Sequence, residues 1–307
     1  MTGAEMRRPL VGLLYNPAVP HLIDAVPDLI EHIEIIPDRL WFDFGNDDEQ
    51  GRFHRVHAAI ETLQKCCRNR VAVGHGIGLS LPSAMPIDEP LLHEVSHTAR
   101  AFEFAWYSEH MSMFLVPHGS IPNAQAGLGL PVVYCEETFE ILRKKLSLLR
   151  AELGCPLLLE NGSIFAPIPD MDYSEPAFFN RLFEELDCGM LLDLHNLYVS
   201  WRNGSPHPRD YLAELNPNAI QEVHLAGGDE LVGFYTDSHS RLTPADVWEW
   251  AYELLPQCRN LRAITYEFHE SYFERLGLSG LTAELERMHA LARALTEKFD
   301  EVEPHAH

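Results

Sequence analysis

No apolar run in this 307-residue chain approaches the about 18–20 residues that cross a bilayer. The first nine residues, Met1 to Pro9, carry no apolar core of the kind a secretory signal needs. Basic residues are scarce: 23 Lys and Arg stand against 46 Asp and Glu, a formal net charge of −23. Such a chain repels nucleic acid and anionic membrane, and no local basic cluster offsets it. The six cysteines follow no framework spacing, so reduced thiols and a cytoplasmic location are expected. No glycine-rich phosphate fingerprint follows the first apolar strand, which argues against a dinucleotide fold. Internal repeats and low-complexity segments are missing too.

What the chain does have is histidine, 17 in all, placed at the ends of apolar runs. The clearest case is Leu191-Leu192-Asp193-Leu194-His195-Asn196. Side chains two apart on an extended strand share a face, so Asp193 and His195 are expected to aim at one point. The pattern recurs. Eight short apolar strands are expected at 11–15, 32–36, 71–76, 104–110, 155–160, 189–194, 220–225 and 263–267, alternating with helices. Among these helices are Arg52 to Cys67, Glu89 to Phe102, Glu136 to Leu153, Glu175 to Leu186, Tyr211 to Leu215, and one opened by a Thr243 N-cap with Pro244 at N1. The alternation predicts an α/β fold: a single (β/α)8 TIM barrel spanning about 10–299, within one domain of 1–307 and with a flexible tail at 300–307. A polar loop is expected at Gly45 to Gly51 and a long functional loop at Val116 to Pro131.

In a barrel, all C-terminal strand ends ring one mouth. That mouth would gather His75, His110, Glu160, Asp193, His195, His224, Asp237, His239 and Glu267. Nine imidazoles and carboxylates this close would repel unless cations compensate them, and nine ligands serve about two or three metal ions. Mixed His/Asp/Glu ligation suits iron, manganese or zinc better than calcium or magnesium. Glu34 and Glu109 are read as supporting or surface groups, since Glu109 alternates away from His110. Asn161 and Ser163 are expected to orient a ligand. His93, His97, His207, His269 and the tail histidines are expected to be solvated.

These residues also fall into ordered motifs. They are His75-Gly76-Ile77-Gly78-Leu79-Ser80-Leu81, Ser108-Glu109-His110, Leu159-Glu160-Asn161-x-Ser163, Leu192-Asp193-x-x-Asn196, His224-Leu225-Ala226-Gly227 and Asp237-x-His239. As an ordered set, from about Val11 to Glu267, they resemble the multinuclear non-heme iron-dependent oxidases. That family was formerly a domain of unknown function, is related in fold to xylose isomerase, and includes methanobactin-biosynthesis-type oxidases. The resemblance implies two or three irons of mixed ferrous and ferric state, with dioxygen as co-substrate. The substrate it implies is a residue, typically cysteine, of a ribosomally made precursor peptide in natural product biosynthesis. It further implies that His75, His110 and Glu160 hold one iron, with Glu160 as a bridge. Asp193 or His195, with His224 and Glu267, would hold a second. Asp237 and His239, helped by the strand 6 pair, would hold a third. His75, His110, Glu160, Asp193, His224 and Glu267 would carry the catalysis. A leader-binding partner protein is expected, with no nucleic-acid or membrane partner.

Three departures from the family pattern stand out. Asp193-Leu194-His195-Asn196 replaces Asp-x-Asn-Asn, Glu267-Phe268-His269 replaces Glu-x-Asp, and Asp38 stands where a glutamate is common. Two other readings of the same residues are a metal-dependent isomerase or hydrolase, and a non-catalytic metal store or sensor.

Overall fold

The structure is a computed structural model, and it describes residues 8–45, 49, 51–115, 125–165 and 171–302. Eight parallel strands close into a barrel: β1 (Leu10–Leu14), β2 (His32–Ile35), β3 (Val71–Gly76), β4 (Tyr107–His110), β5 (Leu157–Glu160), β6 (Gly189–Asp193), β7 (Ile220–Leu225) and β8 (Ala263–Tyr266). Each strand pairs with its sequence neighbours, and β8 closes on β1. The strands are short and almost wholly buried because helices cover their outer face. Most buried apolar side chains, Phe139, Phe178, Phe179 and Trp248 among them, form one continuous layer. A smaller cluster of Val73, Trp106, Leu158, Leu191 and Ala263 is separate from it. By the two-residue period, Val73 lies below His75, Leu158 below Glu160 and Leu191 below Asp193. Each of these strands therefore turns from apolar to ligand-type as it rises to the mouth.

Several helices follow from local chemistry. Asp88 caps Glu89–Phe102 by accepting the Leu91 N–H, and Ser174 caps Glu175–Glu185 by accepting the Ala177 N–H. Glu136–Leu153 ends at Gly154, whose φ of 68° suits glycine.

Other expectations need correction. The helix expected from Arg52 to Cys67 spans only His57–Cys66. Phe53–Arg55 instead pairs antiparallel with Trp41–Asp43, held by Arg52 on Asp43 and Asp88 and by Arg55 on Glu94. The helix near Tyr211 runs Pro208–Glu214. The helix expected to open at Thr243 is Ala245–Leu254, with Pro244 at the N-cap and no side-chain cap bond. A helix at Leu194–Arg202 was not anticipated. The final helix runs Phe273–Val302 with a break at Gly277 (φ 70°), so it continues past residue 300 into the expected tail. Residues 303–307 lie outside the described residues, as do most of Gly45 to Gly51 and residues 116–124 of the long loop. Within the described part of that loop, Gln125–Leu130 pairs with Met113–Leu115.

Candidate metal centre

The barrel register sets the site. His110 at the end of β4 lies beside Glu160 at the end of β5, and Asp193 at the end of β6 lies beside His224 near the end of β7. Glu267 follows β8 directly. On β3, His75 Nδ1 lies 2.7 Å from the Ser108 hydroxyl, which in turn donates to the Gly74 carbonyl at 3.2 Å. The other nitrogen, Nε2, faces His110 Nε2 at 3.0 Å and Glu160 Oε2 at 3.5 Å. His110 Nδ1 stands 2.5 Å from the same carboxylate oxygen.

Glu160 and Glu267 each reach two neighbouring groups. Glu160 turns Oε2 to the His75–His110 pair and Oε1 to His224 Nδ1 at 3.6 Å. Glu267 turns Oε1 to His224 Nδ1 at 3.3 Å and Oε2 to His239 Nε2 at 3.4 Å. Asp237 Oδ1 lies 2.9 Å from His195 Nδ1 and 3.0 Å from His239 Nε2. Three clusters therefore form a chain: His75–His110–Glu160, then Glu160–Asp193–His224 with Glu267, then His195–Asp237–His239. Within each group of three, ligand atoms lie within 4.8 Å of one another. All nine expected residues come together.

His195 arrives by a different route from the expected one. The strand ends at Asp193, whose carboxylate caps the helix Leu194–Arg202 by accepting the Asn196 N–H at 2.8 Å. His195 thus projects from a first helical turn, not along an extended strand, and it joins Asp237 and His239 rather than Asp193. Asn161 fixes this junction. Its side chain accepts from the Asp193 N–H and donates to the Asp193 carbonyl, both at 2.9 Å. Ser163 is half-buried in the lining of a small cavity beside Met111 and Tyr134.

The electrostatics follow from burial and crowding. Burial drives the His75 pKa down to about 3. Burial also opposes charge on His110, yet Glu160 beside it lifts that imidazole to about 9. His239 rises to about 10 in the same way, against burial, through Asp237 and Glu267. Burial works against charge on Glu267 as well, but His224 and His239 hold its carboxyl at about 2. Asp193 is pushed well above the carboxylate range by burial and by Glu160. The protein thus distributes protons among groups that would all be lone-pair donors to a cation.

The donor set fits a metal. Both Glu160 oxygens, His224 Nδ1, His195 Nε2 and His239 Nε2 are buried and lack a hydrogen-bond partner among the described residues. Buried polar atoms are ordinarily paired, and these five belong to four residues of the mouth.

Glu34 and Glu109 are both buried, so of the two expected roles the supporting one fits and the surface one does not. Glu109 does face away from the mouth, accepting from the Tyr107 hydroxyl and the Leu79 N–H. Glu34 lies inside the barrel against His224. Glu222 and His32, also interior, were missed. Their signal was present in the two-residue period, since Glu222-x-His224 and His32-x-Glu34 each put two polar groups on one strand face. His93, His97, His207 and His269 are exposed, as expected.

Comparison with known proteins completes the picture. A family model described as RiPP precursor modification enzyme MbnB/TglH/ChrH (RiPP, a ribosomally made and post-translationally modified peptide) matches residues 11–293. A UPF0276 protein of Anaeromyxobacter sp. (strain Fw109-5) is 31% identical over 219 residues, covering 71% of this chain and 75% of the relative. One from Shewanella sediminis (strain HAW-EB3) is 25% identical over 287 residues, covering 93% of this chain and 95% of the relative. Among solved structures, a xylose isomerase-like TIM barrel protein from Mycobacterium smegmatis in complex with magnesium aligns with a TM-score of 0.55 at 14% identity, covering 96% of this chain and 99% of that one. An L-ribulose 3-epimerase aligns with a TM-score of 0.55 at 11% identity, covering 97% and 99%. At such identities these structures speak to the fold alone.

Proposed function

This chain belongs to the MbnB/TglH/ChrH family of RiPP precursor modification enzymes, and on that footing we propose that it is an iron- and dioxygen-dependent oxidase of a precursor-peptide residue, with cysteine as the expected target. The observation that carries the reading is the linked chain of buried donors joined through Glu160 and Glu267. Two carboxylates that each face two clusters suit two or three adjacent ions better than one.

In this reading His75, His110 and Glu160 hold one ion. Glu160, Asp193, His224 and Glu267 hold a second. His195, Asp237 and His239 hold a third, with Glu267 alongside. Bound there, iron supplies one-electron chemistry toward dioxygen and Lewis acidity toward a thiol. The protein's own part is geometric. Ser108 fixes the His75 ring, Asn161 fixes the Asp193 backbone, and Asp237 fixes His195. His110, Asp237 and His239 keep side-chain exposures of 21%, 27% and 22%, whereas His195 is fully buried, so a peptide would meet the site at these three side chains. A side chain docked there is shielded from water on its inner face and held near the reacting groups. The same reading makes 1–307 one domain, working in the cytoplasm with a separate leader-binding protein.

The test is co-expression of the chain with a cysteine-bearing precursor peptide and a candidate leader-binding protein, followed by peptide mass spectrometry. A mass change that needs both iron and dioxygen supports the oxidase. Turnover by zinc- or manganese-loaded chain without oxygen would shift the assignment to an isomerase or hydrolase.

A further inference from the structure

Directly beneath the mouth lies a carboxylate that the ligand sets leave out. Glu34 is fully buried on β2, and its Oε1 and Oε2 stand 3.2 and 3.0 Å from His224 Nε2. The other ring nitrogen, Nδ1, has no hydrogen-bond partner among the described residues and faces Glu160 Oε1 at 3.6 Å and Glu267 Oε1 at 3.3 Å. A neutral imidazole has one N–H, and whichever nitrogen keeps it cannot bind a metal. At His224 both nitrogens face carboxylates, so nothing in the ring itself decides which one is free.

We propose that Glu34 is a positioning residue: it accepts the Nε2 proton of His224 and so turns the Nδ1 lone pair of that ring into the mouth. The inference rests on the metal-centre reading above and names a residue outside its ligand sets. Metal-bound histidines commonly give their second N–H to a carboxylate, which fixes the ring and strengthens it as a donor. His75 is served in the same manner but by a weaker partner, the neutral Ser108 hydroxyl on Nδ1. Glu34 Oε1 lies 3.9 Å from that same nitrogen, so its carboxyl group also lies beside the second ring. The two imidazoles are therefore presented with opposite nitrogens, Nε2 for His75 and Nδ1 for His224.

The rival geometry is an ion held among Glu34, Glu222 and His224, whose ligand atoms lie within 4.8 Å of one another. The bonding of Glu222 argues against it. Its Oε1 already accepts from the Thr265 hydroxyl and its Oε2 from the Trp106 indole, both at 2.6 Å. Among the described residues Glu34 has no comparable donor other than His224.

The experiment uses the full chain loaded with zinc, a diamagnetic probe, and 15N-labelled histidine, with the His224 signals assigned through an H224Q variant. The expected spectrum shows the His224 proton on Nε2 and zinc on Nδ1. In E34Q, zinc affinity at this position should fall about 10- to 100-fold, read by chelator competition, while zinc at His195, Asp237 and His239 is retained. E34D, which keeps the charge, should recover part of the loss. A merely structural Glu34 would leave tautomer and affinity unmoved. Zinc on Nε2 of His224 in the wild-type chain, or an E34Q affinity within twofold of wild type, overturns the proposal. So does loss in E34Q of one extra zinc with the His224 tautomer unchanged, which would assign an ion to the Glu34–Glu222 pair. If wild-type chain takes up no zinc at any of these residues, the metal-centre reading fails, and this inference with it.

Discussion

On β2, β7 and β8 the barrel carries two polar layers, one a single step deeper than the other. The deeper layer is His32, Glu222 and Thr265; two residues further along each strand stand Glu34, His224 and Glu267. All six are buried. In the deeper layer the bonds close among themselves. His32 Nε2 donates to Thr265 at 2.8 Å, Thr265 donates to Glu222, and Trp106 donates to the other Glu222 oxygen. Among the described residues only His32 Nδ1 is left over, and it is walled off by β1: a Cβ added at Gly12 would sit 2.5 Å from it. In the upper layer His224 Nδ1 is unpartnered and faces two carboxylates, and both Glu160 oxygens beside it are unpartnered as well. Burial alone therefore does not mark a functional group. What separates the layers is whether the polar atoms satisfy one another, because an unmet buried donor or acceptor costs about 1–3 kcal/mol unless something pairs with it.

The comparison can be broken at either layer. The largest effect is expected at Glu160, which faces two clusters. Glu160→Ala should lose more than one metal ion per chain, measured by elemental analysis; full metal content would remove its bridging role. Next comes Thr265→Val in the deeper layer. It should cost about 1–3 kcal/mol in urea unfolding, because Glu222 and His32 both lose a partner, yet the metal count should stay unchanged. Metal loss in that variant would merge the layers into one functional unit.

The smallest effect is in titration, and here the layers should differ in sign. Burial, with His224 nearby, lowers the His32 pKa to about 3, so its contribution to stability is present above about pH 6.5 and fades as pH falls toward 3. The raised pKa of His110, about 9, works the other way. In metal-free protein its contribution is present below about pH 6.5 and is lost as pH rises through 9. At pH 8, imidazole NMR should therefore find His32 neutral and His110 charged, and adding zinc should release protons from the mouth alone. A charged His32 or a neutral His110 in metal-free protein at that pH would contradict the assignment.

The barrel was legible because strand and helix periods differ so plainly: all eight strands lie within three residues of their expected bounds. The nine mouth residues were legible for a related reason, since a barrel brings every strand end to one place. The failures are local and physical. Arg52 to Val56 has helical spacing, but pairing with Trp41–Asp43 and the arginine contacts to Asp43, Asp88 and Glu94 outweigh it. His195 reads as a strand residue because the apolar run continues through Leu194, whereas the Asp193 carboxylate caps a helix that starts there. Glu222 is not singled out by the sequence, and Glu34 reads only as supporting or surface, because the partners that hold them inside, His224 for Glu34 and Thr265 and Trp106 for Glu222, come from other strands or from distant sequence. The two-residue period shows that such residues share a strand face, but not which group from another strand pairs with them.

The central claim, that the barrel mouth holds a multinuclear iron centre responsive to dioxygen, is most directly tested by metal analysis with Mössbauer spectroscopy. The protein should be purified without oxygen and then exposed to it. Two or three irons per chain with an oxygen-sensitive mixed-valence signal is the predicted result. Fewer than two metal ions per chain, or stoichiometric zinc or manganese with no response to oxygen, would contradict it.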